Sequence, residues 1–134
     1  MTDTLVVRSD LVDYLAIRAW AERACRECVQ DAAPDAVAAV ILALHETVSN
    51  VVEHAYRGSC GVIELRAEAR DAALLLRVLH DGSPFDPAAV RAPSFDGTRE
   101  SGFGLFLVES AVDRVEYGRT PEGRGLVRLE KRFP

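Results

Sequence analysis

A chain of 134 residues with 49% hydrophobic and 28% charged residues is globular in composition and long enough to bury one core without disulfides or metal. Its formal net charge of -5 argues against a surface built to neutralise nucleic-acid phosphates. The first nine residues lack a basic segment followed by an apolar core, and no apolar run is read as approaching bilayer length, so one cytoplasmic domain over 1–134 is expected, with neither nucleic acid nor membrane as partner.

Thr4 to Arg8 reads as a short first strand, with Ser9 or Asp10 as N-cap of the next element. Leu11, Leu15, Ala19, Ala24 and Val29 help define a long amphipathic helix to about Gln30. Arg18, Glu22, Arg23, Arg26 and Glu27 fall on its wetter sides, a face that is either solvated or a docking surface. Cys25 and Cys28 match C-x-x-C inside this helical pattern. With Cys60 the chain has three cysteines, which gives neither a disulfide framework nor a second pair for zinc. They read as packed thiols.

Asp31 to Asp35 breaks the pattern and starts a second helix, with Pro34 where a missing N–H costs little. Val40, Ile41, Leu44, Val48, Val51, Val52 and Ala55 share one stripe of this helix at the 3.6-residue repeat. Glu46, Asn50 and Glu53 make a second, polar stripe. Glu46 and Asn50 stand at i, i+4, so a carboxylate able to take a proton and an amide able to hold a cation project from neighbouring turns. Such stripes are most often only solvated, and the companions downstream decide the matter. His45-Glu46 does not begin the zinc-peptidase motif H-E-x-x-H, because Ser49 holds the second histidine position. His45 and His54 read as packing or hydrogen-bonding residues.

The helix is expected to end at Arg57-Gly58, where glycine takes the left-handed conformation. Gly61 to Ala69 and Ala72 to His80 then read as antiparallel strands joined by a turn at Arg70-Asp71. Asp81-Gly82-Ser83-Pro84 ends the second strand, and Phe85 to Ser101 is a long aperiodic stretch of the kind that usually serves function. Gly102-Phe103-Gly104 opens a short helix from Leu105 to about Val112. Glycines at a helix start free backbone N–H groups for an anion, favoured also by the helix dipole. A strand from Val115 to Arg119, a turn at Pro121 to Gly123 and a last strand from Gly125 to Phe133 complete the chain.

The order of these motifs resembles the bacterial anti-sigma factor serine kinases, within the ATPase superfamily shared by gyrase, Hsp90, histidine kinases and MutL. Glu46 to Tyr56 is similar to the family box E-x-x-x-N-x-x-x-H-A-Y, His80 to Pro87 to its second box, and Ser101 to Val108 to its third. The resemblance runs from Leu5 to Phe133. It implies an α/β two-layer sandwich of Bergerat type, with helices on one face of a mixed, mostly antiparallel sheet and ATP between the helices and a lid. It further implies that Glu46 is the general base for a serine hydroxyl and that Asn50 ligates magnesium. The remaining nucleotide contacts would come from His80, Asp81, Gly82, Gly102, Phe103, Gly104 and Leu105, with Arg99 approaching the terminal phosphate. The partners implied are an anti-sigma antagonist of STAS type, carrying the phosphorylated serine, and a sigma factor or other regulated protein, with the chain as a homodimer presenting Arg18 and Glu22.

Two positions depart from the family pattern. The second box normally begins D-x-G, its aspartate accepting a hydrogen bond from the adenine amino group, and in the register set by Gly82 that position is His80. Asp81 comes one residue late and would face the other side of a continuing strand. The threonine that usually follows the glycine of the last strand is replaced by Leu126. These departures motivate an alternative expectation: a binding module of the same fold that sequesters a partner with little or no nucleotide binding.

Overall fold

The computed structural model describes residues 2–83 and 103–134, and side chains at 2–83 and 107–134. Five strands form one sheet: β1 (Thr2–Arg8), β2 (Val62–Arg70), β3 (Ala73–His80), β4 (Arg114–Arg119) and β5 (Gly125–Arg132), in the order β1-β2-β3-β5-β4. Every pairing among these strands is antiparallel. Three helices, α1 (Tyr14–Cys28), α2 (Pro34–Asn50) and α3 (Phe103–Ala111), complete the α/β two-layer arrangement.

Strand alternation sorts the sheet into two faces. Cross-strand registers align Val7 with Ile63, Leu65 with Val78, Val78 with Val127 and Leu76 with Leu129, and all of these are buried. They pack with Ile17, Trp20 and Ala24 of α1, Val40, Leu44 and Val48 of α2, Val108 of α3 and Val112 just beyond it in one core. The opposite face carries Glu64, Arg66, Glu68, Arg77 and Arg128, as expected of a wetted sheet face. Helix α1 contacts β1, β2 and β3, α3 contacts β4, and α2 lies between α1 and α3.

Several local expectations shift. Asp13 caps α1, its Oδ1 accepting from the Ala16 N–H at 3.1 Å, whereas Ser9 is buried and its hydroxyl joins Ser59 O (3.0 Å) and Gly61 N (2.8 Å). Ser9 therefore ties the end of β1 to the approach of β2. The buried side of α1 is Ile17, Trp20, Ala21, Ala24 and Cys25, while Leu11 and Leu15 are 80% and 77% exposed. The hairpin turn falls at Asp71 and Ala72, with φ of 52° and 62°, one residue later than expected.

The second helix does not stay α-helical. Beyond Asn50 it continues as a π-helical segment, Val51–Tyr56, in which the Arg57 N–H reaches the Val52 carbonyl at 3.1 Å. Arg57 itself takes the left-handed cap position at φ 50°, ahead of Gly58 at φ 85°. The continuous run Pro34–Tyr56 spans 23 residues and contains an 18-residue window of mean hydropathy 1.4, enough by length and composition to cross a bilayer, contrary to the expectation that no run approaches that length. Its apolar stripe is instead part of the core, with Val40, Leu44, Val48 and Val51 fully buried.

Candidate functional site

Helix α2 is aimed by its neighbours. The Tyr14 hydroxyl at the start of α1 hydrogen-bonds the Ser49 hydroxyl at 2.9 Å, and Tyr14 O meets His45 Nε2 at 3.2 Å, with the two rings edge to face at 5.2 Å. His45 is thus a packing and hydrogen-bonding residue. Consecutive helical residues are rotated by about 100°, so Glu46 and Asn50 turn away from the α1 flank held by His45 and Ser49. Both are half-buried. Helix α2 packs on both α1 and α3. Glu53, by contrast, is exposed and stands 3.9 Å from His54. Glu53 belongs to the π-helical segment rather than to α2, which carries Glu46 and Asn50.

The end of β3 is stitched to the π segment. The Ser83 N–H donates to the Ala55 carbonyl at 2.8 Å, and a Cβ on Gly82 would lie 2.8 Å from the Ala55 backbone. Gly82 is needed for this close approach. The Tyr56 hydroxyl donates to Val62 O at 2.5 Å and accepts from the Asp81 N–H at 3.0 Å. Tyr56 therefore joins the end of the helix to both β2 and β3. No local pattern marks Tyr56 for this part, because Val62 and Asp81 meet it only in the fold.

His80, opposite Gly125 and Ile63, belongs to the helix-facing side of the sheet and is 3% exposed. A Cβ on Gly125 would lie 2.2 Å from its Nε2, so the glycine leaves the space that the imidazole fills. Tyr56 stands edge-on to the ring at 6.1 Å. Burial lowers the His80 pKa from 6.5, opposed by Asp81 and assisted by Arg119 and Arg124.

Asp81 does not join this group. Its exposed carboxylate pairs with Arg124 Nε at 3.0 Å, and Arg124 Nη1 also approaches Glu64 at 3.4 Å. Glu64 is held below the usual carboxylate range chiefly by its hydrogen bond to Arg66, with Arg124 adding to the effect. This clasp anchors Asp81 beside Glu64, a residue of the wetted sheet face. Leu126 likewise pairs with Leu79, on the alternate side from His80. A threonine at 126 would not have stood against the ring.

Of the other candidate residues, Arg99 and Gly102 lie outside the described residues, as does the stretch from Phe85 to Ser101. Phe103, Gly104 and Leu105 form the first turn of α3. Helix α3 packs against α2, the helix that carries Glu46 and Asn50, and the end of β3 is tied to the segment that continues α2. Thr47, on the core side of α2, has a buried hydroxyl with no partner among the described residues.

These residues fit a magnesium nucleotide in chemical type. A carboxylate and a neutral amide one turn apart on α2, a helix start at Phe103 and a buried imidazole at the end of β3 are groups of the types such a ligand engages. Among the described residues no three His, Cys, Asp or Glu side chains gather to hold a metal. A magnesium ion would therefore rely on phosphate oxygens and water besides Asn50, which is its habit in nucleotide sites.

Helices layered on one side of an antiparallel sheet make this an α/β two-layer domain. The chain belongs to the family described as the histidine kinase-like ATPase domain, which it matches over residues 7–131. It is 34% identical over 84 residues to a serine-protein kinase RsbW of Staphylococcus epidermidis, a match that covers 55% of this chain and 53% of that protein. The chain thus spans about half the length of that relative. It is also 29% identical over 99 residues to an anti-sigma F factor of Caldanaerobacter subterraneus subsp. tengcongensis, covering 71% and 69% of the two chains. The histidine kinase domain from the Erythrobacter litoralis EL346 blue-light activated histidine kinase shares the fold, at TM-score 0.51 and 16% identity over 92% of this chain and 76% of that one.

Proposed function

We propose that the protein is an ATP-dependent protein-serine kinase that works by partner switching in the cytoplasm. It would phosphorylate a serine on a small anti-sigma antagonist of STAS type and alternatively sequester a sigma factor or another regulated protein. The observation that carries the reading is the half-buried Glu46 and Asn50 pair, one turn apart on α2. Relatives named serine-protein kinase and anti-sigma F factor support it.

ATP supplies the phosphoryl group, with magnesium neutralising the charge on its phosphates. Glu46 would orient the attacking serine hydroxyl and take its proton as the oxygen bonds to phosphorus and ADP departs. Asn50 would hold the metal through its amide oxygen. The α3 start, with Gly102, Phe103, Gly104 and Leu105, would offer backbone N–H groups to the phosphates, and Arg99 would approach the terminal one. Exposed Leu15 and the Arg18–Glu22 ion pair of 3.0 Å on α1, with exposed Leu11 shortly before the helix, offer apolar and charged groups suited to a protein partner or a second copy.

The test is transfer of label from γ-labelled ATP to candidate antagonists. Wild type should transfer and Glu46→Ala should not. Absence of transfer by wild type, with Glu46→Ala no different, would remove the kinase assignment. A second reading, a partner-sequestering module with weak or no nucleotide binding, is favoured by the Asp81 carboxylate being engaged by Arg124. Calorimetry with Mg-ATP separates the two, because an idle pocket releases no heat.

A further inference from the structure

The sheet face turned away from the helices carries a row of like charges. Arg66 on β2 stands opposite Arg77 on β3, Arg77 opposite Arg128 on β5, and Arg128 opposite Glu116 on β4. Neighbouring strands lie about 4.8 Å apart, so three arginine stems rise side by side, an arrangement that weakens a sheet unless an anion offsets it. The carboxylates around the row are shared unevenly. Glu64 pairs with Arg66, Glu68 with Arg70 at 2.6 Å and Arg77 at 3.7 Å, Glu116 with Arg114 at 3.1 Å, and Glu130 with Arg132 at 3.9 Å. Among the described residues no carboxylate pairs with Arg128. A depression of about 280 Å³ opens at this point, lined by Arg77, Arg114 and Arg128 together with Leu75, Glu116 and Glu130.

We propose that this depression, on the opposite side of the sheet from the helices, is an anion site for a compact multivalent phosphate of the pyrophosphate or tripolyphosphate kind. The cations that line it are all arginine, whose planar fork takes two phosphoryl oxygens at once and stays charged. Its volume falls just below the roughly 300–1,000 Å³ of pockets for drug-sized ligands, which suits a small ion. The pattern of the face also sets the length of the ligand. Glu116 ends the arginine row, while Glu68 and Glu130 share the next row with Leu75 and Glu64 lies in the row on the other side. An extended polyanion would run into these carboxylates, whereas a compact ion can stay against Arg77 and Arg128. Glu116 and Glu130, which also line the depression, are paired with Arg114 and Arg132, so Arg128 is left to meet the ligand. Such a site stands independently of any nucleotide held by α2 and α3.

The experiment is an NMR titration of the isotope-labelled full chain with pyrophosphate and tripolyphosphate, without magnesium and at constant ionic strength. Sulfate and poly-glutamate serve as comparison ligands. We expect saturable amide shifts centred on β3, β5 and β4 around Arg77, Arg114 and Arg128, with tripolyphosphate binding at least about tenfold tighter than sulfate. Arg128→Gln should raise the tripolyphosphate Kd by about tenfold or more, and Arg128→Lys, which keeps the charge and loses the fork, should fall between. No saturable shift, equal affinity for sulfate, or a Kd unchanged in Arg128→Gln overturns the proposal. Poly-glutamate saturating the same amides more tightly than tripolyphosphate overturns it in favour of an acidic protein segment. Shifts centred instead on α2 and α3 would place the phosphate with the nucleotide groups, and would overturn this site while leaving that one standing.

Discussion

The His80 ring fills the space that a side chain at Gly125 would occupy: an added Cβ would come within 2.2 Å of Nε2 and 2.3 Å of Cε1. The two residues are cross-strand partners at the ends of β3 and β5, where the strands are held by their ladder. Gly125→Ala should therefore destabilise the fold by about 1–3 kcal/mol, the usual cost of overpacking a filled site. Urea denaturation measures it. In a His80→Ala background the same change should cost much less, and equal costs in both backgrounds would show that the clash is relieved elsewhere.

Ala72 occupies the second position of the β2–β3 hairpin turn at φ 62°, in the left-handed region that an alanine side chain disfavours. Ala72→Gly should stabilise the protein by about 1 kcal/mol, the left-handed penalty less part of glycine's greater unfolded-state freedom. A rise in the thermal midpoint is the expected result, and a fall would mean that the exposed methyl contributes more than its strain costs.

The lowered His80 pKa makes stability depend on pH with a definite sign. In the unfolded chain the imidazole takes a proton near 6.5, but in the folded protein only at lower pH. Between those two values the unfolded state binds more protons, so stability rises with pH there and is lost as pH falls from about 6.5 through the folded value. Denaturation midpoints taken from about pH 7.5 down to about 5.5 should drop for wild type and drop less for His80→Leu. Parallel profiles would assign the acid sensitivity to other groups.

Glu46 and Asn50 are half-buried rather than core residues, so their loss should separate chemistry from folding. Glu46→Gln should lower phosphoryl transfer by about a hundredfold to ten-thousandfold, the span expected for a lost general base, with nucleotide affinity nearly kept. Asn50→Ala should instead weaken binding of the magnesium nucleotide. A Glu46→Gln variant with full transfer would assign the proton to another group.

The sequence by itself determined what local periodicity and turn chemistry encode. The order of strands and helices followed from alternation and from the 3.6-residue stripe, the start of α2 from Pro34, and the opposite facing of residues 80 and 81 from the two-residue repeat of a strand. The three boxes led from there to the family. The tertiary structure decided what depends on partners distant in the chain. Asp81 turned to Arg124, 43 residues later. The Tyr56 hydroxyl found the Asp81 N–H 25 residues away, and Gly82 was required by the backbone of Ala55. The π segment, the shift of the α1 cap to Asp13 and the exposure of Leu11 and Leu15 were hidden for the same reason. A local pattern shows which residues share a face, but which face is covered, and by which groups, is settled only when the sheet and helices close on one another.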